Sequence, residues 1–474
     1  MQEAVKPLRA ASRKRAARNF LKEALSGTEQ DFTQGSLSRG IALLAIPTVL
    51  EMAMESTFGI VDAFWVARLG AGAMATVGLT ESLAVLVFSV ALGLSIAATA
   101  IVARRIGEKD PEGASLAAVQ AIGCGVLTGI LAGIAGAHYA PQLLAWMHAS
   151  PEVIRTGSLY TAIVLGSNVC IMLLFLINGV FRGAGDAAIA MRTLWLANLF
   201  NLALDPCFIY GWAGFPRLGV TGAAVATTTG RSIGVLYQFY VLLGGRGRVT
   251  IARRHLRIDW GVLRRLLRVG GIAMLQYIIS IASWVSLTRI NAVFGNTAAA
   301  GYTLAMRMIL FAILPSWGIS TAAATLVGQN LGAGKPERSE RAVWLCGTYN
   351  TIFLTAVGLV LFFSAPAFVG LFTSDPGVAT LGVACLKYVS VGYPFYAWGM
   401  ILEQAFNGAG DTATPTWVNL GCYWMLQIPM AWWLAGPGGM GPRGVYLAVP
   451  VAESLLAIAS MVLFRQGKWK RVKI

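Results

Sequence analysis

Three carboxylates stand in one apolar run. From Ile41 to Ala67 the chain reads IALLAIPTVLEMAMESTFGIVDAFWVA, long enough to cross a bilayer, and it contains Glu51, Glu55 and Asp62. An acid at the bilayer centre costs about 2.5–3.5 kcal/mol on insertion scales, so acids found there ordinarily line an ion or substrate path. At 100° per residue the three lie within about 40° of one another on one helix face. A second polar set sits in NLALDPCFIYG, residues 201–211. Asn201 and Asp205 are four apart and share a face, and Pro206 lacks a backbone donor, which frees the Leu202 carbonyl. Thr227 adds a hydroxyl in the next apolar run. Such oxygens suit a hard cation such as Na⁺, and close carboxylates in a low dielectric equally suit a proton. The residues alone leave both open. Glu51 and Glu55 are an additional acidic site or a gate, Glu81 reads as interfacial, and Glu403 as a partner for a loop base.

These residues need membrane helices to hold them. Of 474 residues, 56% are hydrophobic and only 12% charged, half the charged share of a soluble protein. The apolar runs predict an all-α polytopic membrane protein of twelve spans: 41–67, 79–103, 116–138, 155–180, 191–211, 218–243, 267–289, 299–326, 341–363, 380–405, 416–436 and 443–464. Lys and Arg outnumber Asp and Glu by 37 to 21. They sit in loops and tails rather than in a patch for nucleic acid. With the N-terminus inside, the inner segments hold 29 of them, the outer ones five, and the spans three (Arg231, Arg307, Lys387). That bias predicts a cell inner membrane protein with both termini cytoplasmic. The six cysteines fall in apolar stretches and read as buried thiols. The basic tail Lys6–Lys22 reads as an anchor on an anionic surface.

The chain also repeats. FRGAGD at 181–186 returns as FNGAGD at 406–411, and the offset of 225 aligns Gly70 with Gly295, Gly107 with Gly332, Pro111 with Pro336 and Gly219 with Gly444, with no gap. Six spans per unit leave both units in one orientation, so two six-helix bundles related by a pseudo-two-fold axis along the membrane normal are expected. The division is a tail (1–40), an N-lobe (41–243), a basic connector (244–266) with an amphipathic surface helix at 258–266, a C-lobe (267–464) and a second tail (465–474). The halves differ where the polar set stands. Asp62 aligns with Leu287, Glu51 with Gln276, Glu55 with Ser280, Asn201 with Leu426, Asp205 with Met430 and Thr227 with Ala452. Building the bundle does not require that asymmetry.

Over residues 35–465 the chain resembles the multidrug and toxin extrusion (MATE) transporters. The likeness rests on IVDAFWVARLG at 60–70, the FRGAGD and FNGAGD loops, NLALDPCFIYG and LGVTGAAVAT at 218–227. The resemblance implies a twelve-helix cation-coupled antiporter exporting amphipathic, often cationic compounds. It implies an N-lobe ion or proton site at Asp62, Asn201, Asp205 and Thr227, where Na⁺ is one candidate, and a helix bend at Pro47. Span seven lacks the carboxylate of the NorM-like branch, which favours the DinF-like branch. Glu51 and Glu55 are outside the family site. Tyr160, Asn168, Asn178, Gln276, Trp284, Tyr302, Tyr393, Glu403 and Gln404 are candidates for the substrate cavity. No cofactor beyond the coupling ion is expected. The partners expected are organic substrates and lipid, and the chain is expected to act as a monomer. A lipid-linked oligosaccharide flippase is the alternative, although few basic residues lie within spans. An intramembrane enzyme fits less well, since His138, His148 and His255 fall at span ends or in loops.

Overall fold

The computed structural model describes residues 18–27 and 30–474. Twelve long helices follow one another: α1 (Leu37–Ala67), α2 (Ala71–Gly107), α3 (Pro111–His138), α4 (Pro151–Ala184), α5 (Ala187–Tyr210), α6 (Val220–Leu243), α7 (Trp260–Ala292), α8 (Asn296–Gly332), α9 (Pro336–Gly370), α10 (Pro376–Val391 and Tyr393–Ala409), α11 (Ala413–Asn419 with its continuations Leu420–Gln427 and Ile428–Ala435) and α12 (Pro442–Arg465). Nine of them are long and apolar enough to cross a membrane unaided, and the two parts of α10, bent by 57°, make a tenth. Each helix overlaps one predicted span. Most extend past it at one or both ends, because the hydrocarbon core of about 30 Å sets the apolar run but not the helix length.

The local geometry repeats with the sequence. Gly70 and Gly295 precede α2 and α8 with φ of 100° and 96°. Gly185 and Gly410 end α4 and α10 in the left-handed region, where a glycine has no Cβ to strain. Pro111 and Pro336 open α3 and α9 at a first turn that needs no N–H. The break in α4 at Ser167 recurs 225 residues on at Gly392 in α10.

The register corrects itself once. Gly219 (φ 60°, ψ −137°) matches Gly441 (φ 56°, ψ −142°) in conformation, not Gly444. Gly222 presses on the Phe208 carbonyl as Gly444 presses on the backbone of Leu434 and Ala435. The loop before α12 is three residues shorter than the one before α6, so the offset there is 222. Thr227 is therefore the repeat equivalent of Val449 rather than Ala452, and Arg231 that of Glu453.

α1–α6 and α7–α12 form two lobes with their own cores, one around Leu94, Ile101, Leu176 and Phe181, the other around Ile309, Leu354, Leu386 and Tyr446. The lobes meet on the side that carries the termini. There α2 and α8 cross reciprocally: a Cβ on Gly107 would stand 2.0 Å from the Gln329 carbonyl, and one on Gly332 2.1 Å from the Arg104 carbonyl. Gly93 lets α2 touch Gly270 of α7, and Gly318 lets α8 touch Val49 of α1. Toward the other side such close crossings are missing at Gly59, Gly72, Gly78 and Gly295, where an added Cβ would meet no atom of the described residues within 4 Å.

Two expectations change. No separate helix occupies 258–266; α7 itself begins at Trp260, capped by Asp259. The segment before it is pinned to α3, since Gln120 donates to the Arg257 carbonyl (2.7 Å) and Glu112 pairs with Arg254 and His255. Nor are the segments flanking the helices simple tails. Phe32 is buried between the lobes, and Trp469 is buried and stacked on Phe464. The surface anchor expected at Lys6–Lys22 falls mostly outside the described residues. All six cysteines are free thiols, two of them fully buried.

Candidate functional site

Two polar sites emerge, at different depths along α1. The helix is set against α5 by two hydrogen bonds, Trp195 Nε1 to the Leu50 carbonyl (3.1 Å) and Tyr210 Oη to the Trp65 carbonyl (2.7 Å). This places Asp62 on the α5-facing stretch of α1, within electrostatic reach of Asp205. Asn201 Nδ2 donates to Thr227 Oγ1 (3.0 Å) and lies 3.4 Å from Asp205 Oδ1. Asn201 and Asp205 are 2% and 0% exposed, and Asn201 Oδ1 and Asp205 Oδ2 lack a hydrogen-bond partner among the described residues. Buried oxygens without donors are costly unless a cation or proton visits them. Asp62 accepts no hydrogen bond among the described residues. The structure thus joins Asn201, Asp205 and Thr227 by hydrogen bonds, with Asp62 and Tyr160 within electrostatic reach of Asp205. The donor set fits Na⁺ or a proton equally.

Glu81 is exposed. It stands ten residues into α2, with Arg231 of α6 and Arg307 of α8 close enough to interact with its charge.

The second site is a cavity of about 250 Å³ between the lobes, lined from α1, α2, α4, α5, α7, α8 and α10. Glu51 and Glu55 belong here and not to the Asp62 cluster, because eleven residues of helix, about 16 Å, separate Glu51 from Asp62. Glu51 is fully buried and pairs with Arg182 Nη1 at 3.1 Å, with Asn178 Nδ2 at 3.4 Å. Asn178 in turn accepts from Gln238 Nε2 (2.8 Å). Glu55 accepts from Asn198 Nδ2 at 2.9 Å.

The lining obeys the repeat. Met52 and Tyr277, Leu92 and Trp317, Ile96 and Thr321, Thr99 and Ala324, and Arg182 and Asn407 are equivalent pairs, so the cavity lies on the pseudo-two-fold axis. Tyr277 and Trp317 stack at 6.3 Å on the C-lobe wall, and Phe175 faces in from the N-lobe.

Of the nine residues expected in the cavity, only Gln404 lines it. Tyr302 and Tyr393 are packed in the C-lobe core, Tyr302 stacked on Tyr446, and Trp284 lies against that core. Their rings fill space between close helices, which an apolar span needs regardless of transport. Asn168 is buried at the break in α4 with its amide unpartnered. Asn178 sits behind Glu51. Gln276 donates to Glu403 at 2.5 Å inside the C-lobe, so Glu403 pairs there and not with a loop base. Sequence reasoning missed Glu453 of α12, buried and bonded by Tyr423 Oη (3.0 Å). An acid inside LAVPVAESLLAIAS was the available signal. It also missed Arg182, Asn407, Tyr277 and Trp317.

Two six-helix lobes with a cavity on their shared axis define a two-fold, polytopic membrane transporter architecture. The chain belongs to the MatE family, whose model matches residues 47–207 and 271–433, two copies in step with the repeat. It is 24% identical to a probable multidrug resistance protein NorM of Thermotoga maritima over 90% of this chain and 92% of that protein. It is likewise 24% identical to a FAD transporter of Shewanella oneidensis, over 90% of this chain and 94% of that protein. A crystal structure of MATE in complex with MaL6 superposes with a TM-score of 0.88 at 25% identity, covering 94% of this chain and all of the other. An outward-facing multidrug resistance MATE family transporter gives 0.87 at 26% identity, covering 93% and 98%. The protein is a multi-pass membrane transporter of that family.

Proposed function

We propose that the chain is a secondary active antiporter. It exports organic, often cationic and amphipathic compounds in exchange for H⁺ or Na⁺, by alternating access, without converting them chemically. The N-lobe cluster carries the reading: buried oxygens of Asn201 and Asp205 without donors, opposite Asp62, while Leu426, Met430 and Leu287 occupy the equivalent C-lobe positions. Ion uptake at Asp62 and Asp205 loosens substrate binding in the cavity of the open form. Return to the other form releases the ion and recruits substrate. One charge crossing 100 mV supplies about 2.3 kcal/mol, enough for one or two ions to drive a useful gradient. The Glu55 carboxylate and the Tyr277–Trp317 pair give a cation both charge and ring faces.

The excess of Lys and Arg on the tail side favours cytoplasmic termini in a cell inner membrane, so the open side faces out. The absence of a span-seven carboxylate favours N-lobe coupling of the DinF-like kind. A flippase for pyrophosphate-linked lipids is disfavoured because the one cavity base among the described residues, Arg182, is neutralised by Glu51.

The test is efflux of a cationic dye such as ethidium from proteoliposomes under a pH gradient and, separately, a Na⁺ gradient. One gradient driving transport supports the antiport and names the ion. Neither moving any cationic dye contradicts it.

A further inference from the structure

The seam between the lobes on the tail side is closed by more than helix packing. Residues 30–36, just before α1, lie across it. Phe32 is 1% exposed and sits in one cluster with Leu326, Val327 and Leu331 of α8 and Ala187 of α5. Added Cβ atoms on Gly185 and Gly40 would stand 2.8 and 3.3 Å from its ring, and the Arg248 guanidinium lies 5.2 Å over it. From the N-lobe, Lys109 Nζ pairs with Asp31 Oδ2 (2.6 Å), and Arg248 Nη2 donates to the Gln30 carbonyl (2.8 Å). From the C-lobe, charged donors take only backbone carbonyls: Lys335 Nζ that of Thr33 (2.9 Å), and Arg338 Nη2 those of Gln34 (2.8 Å) and Gly35 (3.0 Å).

The equivalent segment before α7 makes the mirrored crossing to α3, through Glu112–His255 and Gln120–Arg257. That segment is the covalent connector between the lobes. The first one joins them by non-covalent contacts alone.

We propose that residues 30–36 are a latch. Continuous with α1 and anchored to the N-lobe by Asp31 on Lys109 and the Gln30 carbonyl on Arg248, the segment holds the tail side shut through Phe32 on α8 and through Lys335 and Arg338. It must leave those two residues before the cavity can open on that side. The inference rests on the alternating-access reading above. Its grip on the C-lobe is the part that breaks: Lys335 and Arg338 release the backbone carbonyls and Phe32 leaves α8, while Lys109 and Arg248 keep the segment on the N-lobe.

Two full-length variants test it, in a background with the six native cysteines replaced. In the first, Gln34→Cys and Arg338→Cys are joined by a flexible, reducible bis-thiosulfonate. Transport is expected to fall at least about ten-fold and to return with dithiothreitol. In the second, Lys335→Ala and Arg338→Ala are combined with Thr99→Cys on the cavity wall. Labelling of that cysteine by an impermeant thiol reagent from the tail side is expected to rise about ten-fold. The latch is overturned if the cross-linked protein transports at the uncross-linked rate. It is also overturned if Lys335→Ala/Arg338→Ala leaves labelling unchanged while substrate raises it in both proteins; alternating access then still stands. If Thr99→Cys is never labelled from the tail side under any ion or substrate condition, alternating access itself fails, and the latch with it.

Discussion

Glu51 and Asp205 are both wholly buried acids, yet their surroundings ask different things of them. Glu51 has a resident cation, and one oxygen of the pair is met by Arg182 at 3.1 Å. Asp205 has only the Asn201 amide, at 3.4 Å, and a carboxylate neighbour in Asp62. Each keeps one oxygen without a donor among the described residues, so what separates them is the cation: Glu51 has Arg182 and Asp205 has none in contact. Removing one partner of a buried pair leaves the other uncompensated, at about 3–5 kcal/mol. Arg182→Ala should therefore lower the melting temperature in detergent sharply, and Glu51→Gln added to it should recover most of the loss. If the single and double variants melt alike, the pair carries no such coupling. Asp205→Asn should behave in the opposite way. It should fold at least as well as the unaltered protein, because it removes a charge with no partner, and still lose ion-driven transport.

The elements cross where glycine permits. Gly107 and Gly332 are the two halves of one reciprocal contact between α2 and α8, and a side chain at either meets backbone. Overpacking of this kind costs about 1–3 kcal/mol. Gly107→Val is expected to weaken the tail-side closure and raise labelling of Thr99→Cys from that side. Unchanged labelling would mean the crossing does not hold the form observed.

The strap adds a pH expectation. Burial raises the Asp31 carboxyl, but hydrogen bonds from Lys109 and Thr33 outweigh it and hold it well below the usual carboxylate range. A depressed group stabilises above its unfolded pKa of about 3.9, and that stability is lost only as pH falls through the lower folded value. The melting difference between Asp31→Asn and the unaltered protein should thus be equal at pH 8 and pH 5, and shrink only below about pH 4. At this scale much was legible in advance. Each span announced itself as an apolar run, and each turn as a Gly or Pro recurring at 225. The three-residue shift before α12 was not, because Gly219 and Gly444 agree as letters. Only the φ and ψ of Gly441 reveal the true partner.

The whole molecule is two lobes closed at one end and parted at the other. The Asn201–Asp205–Thr227 cluster lies inside one lobe and the cavity between both. The cluster was readable as the polar set that one repeat keeps and the other lacks. The cavity was not, since which side of a span faces the axis is decided by packing. Tyr302 and Tyr277 are both tyrosines in apolar runs, yet the first fills a core and the second a wall. The usable signal was subtler: Arg182 and Asn407 are the one difference between FRGAGD and FNGAGD, and both face the axis.

The central claim is that charge exchange at the N-lobe cluster drives movement through that cavity. The most direct measurement is dye-cation efflux from proteoliposomes carrying Asp62→Asn beside the unaltered protein, at matched insertion and under the gradient that drives transport. The expected result is a loss of at least about ten-fold in gradient-driven efflux, with dye binding retained. Efflux by Asp62→Asn at the unaltered rate would make Asp62 a packing residue and contradict the account.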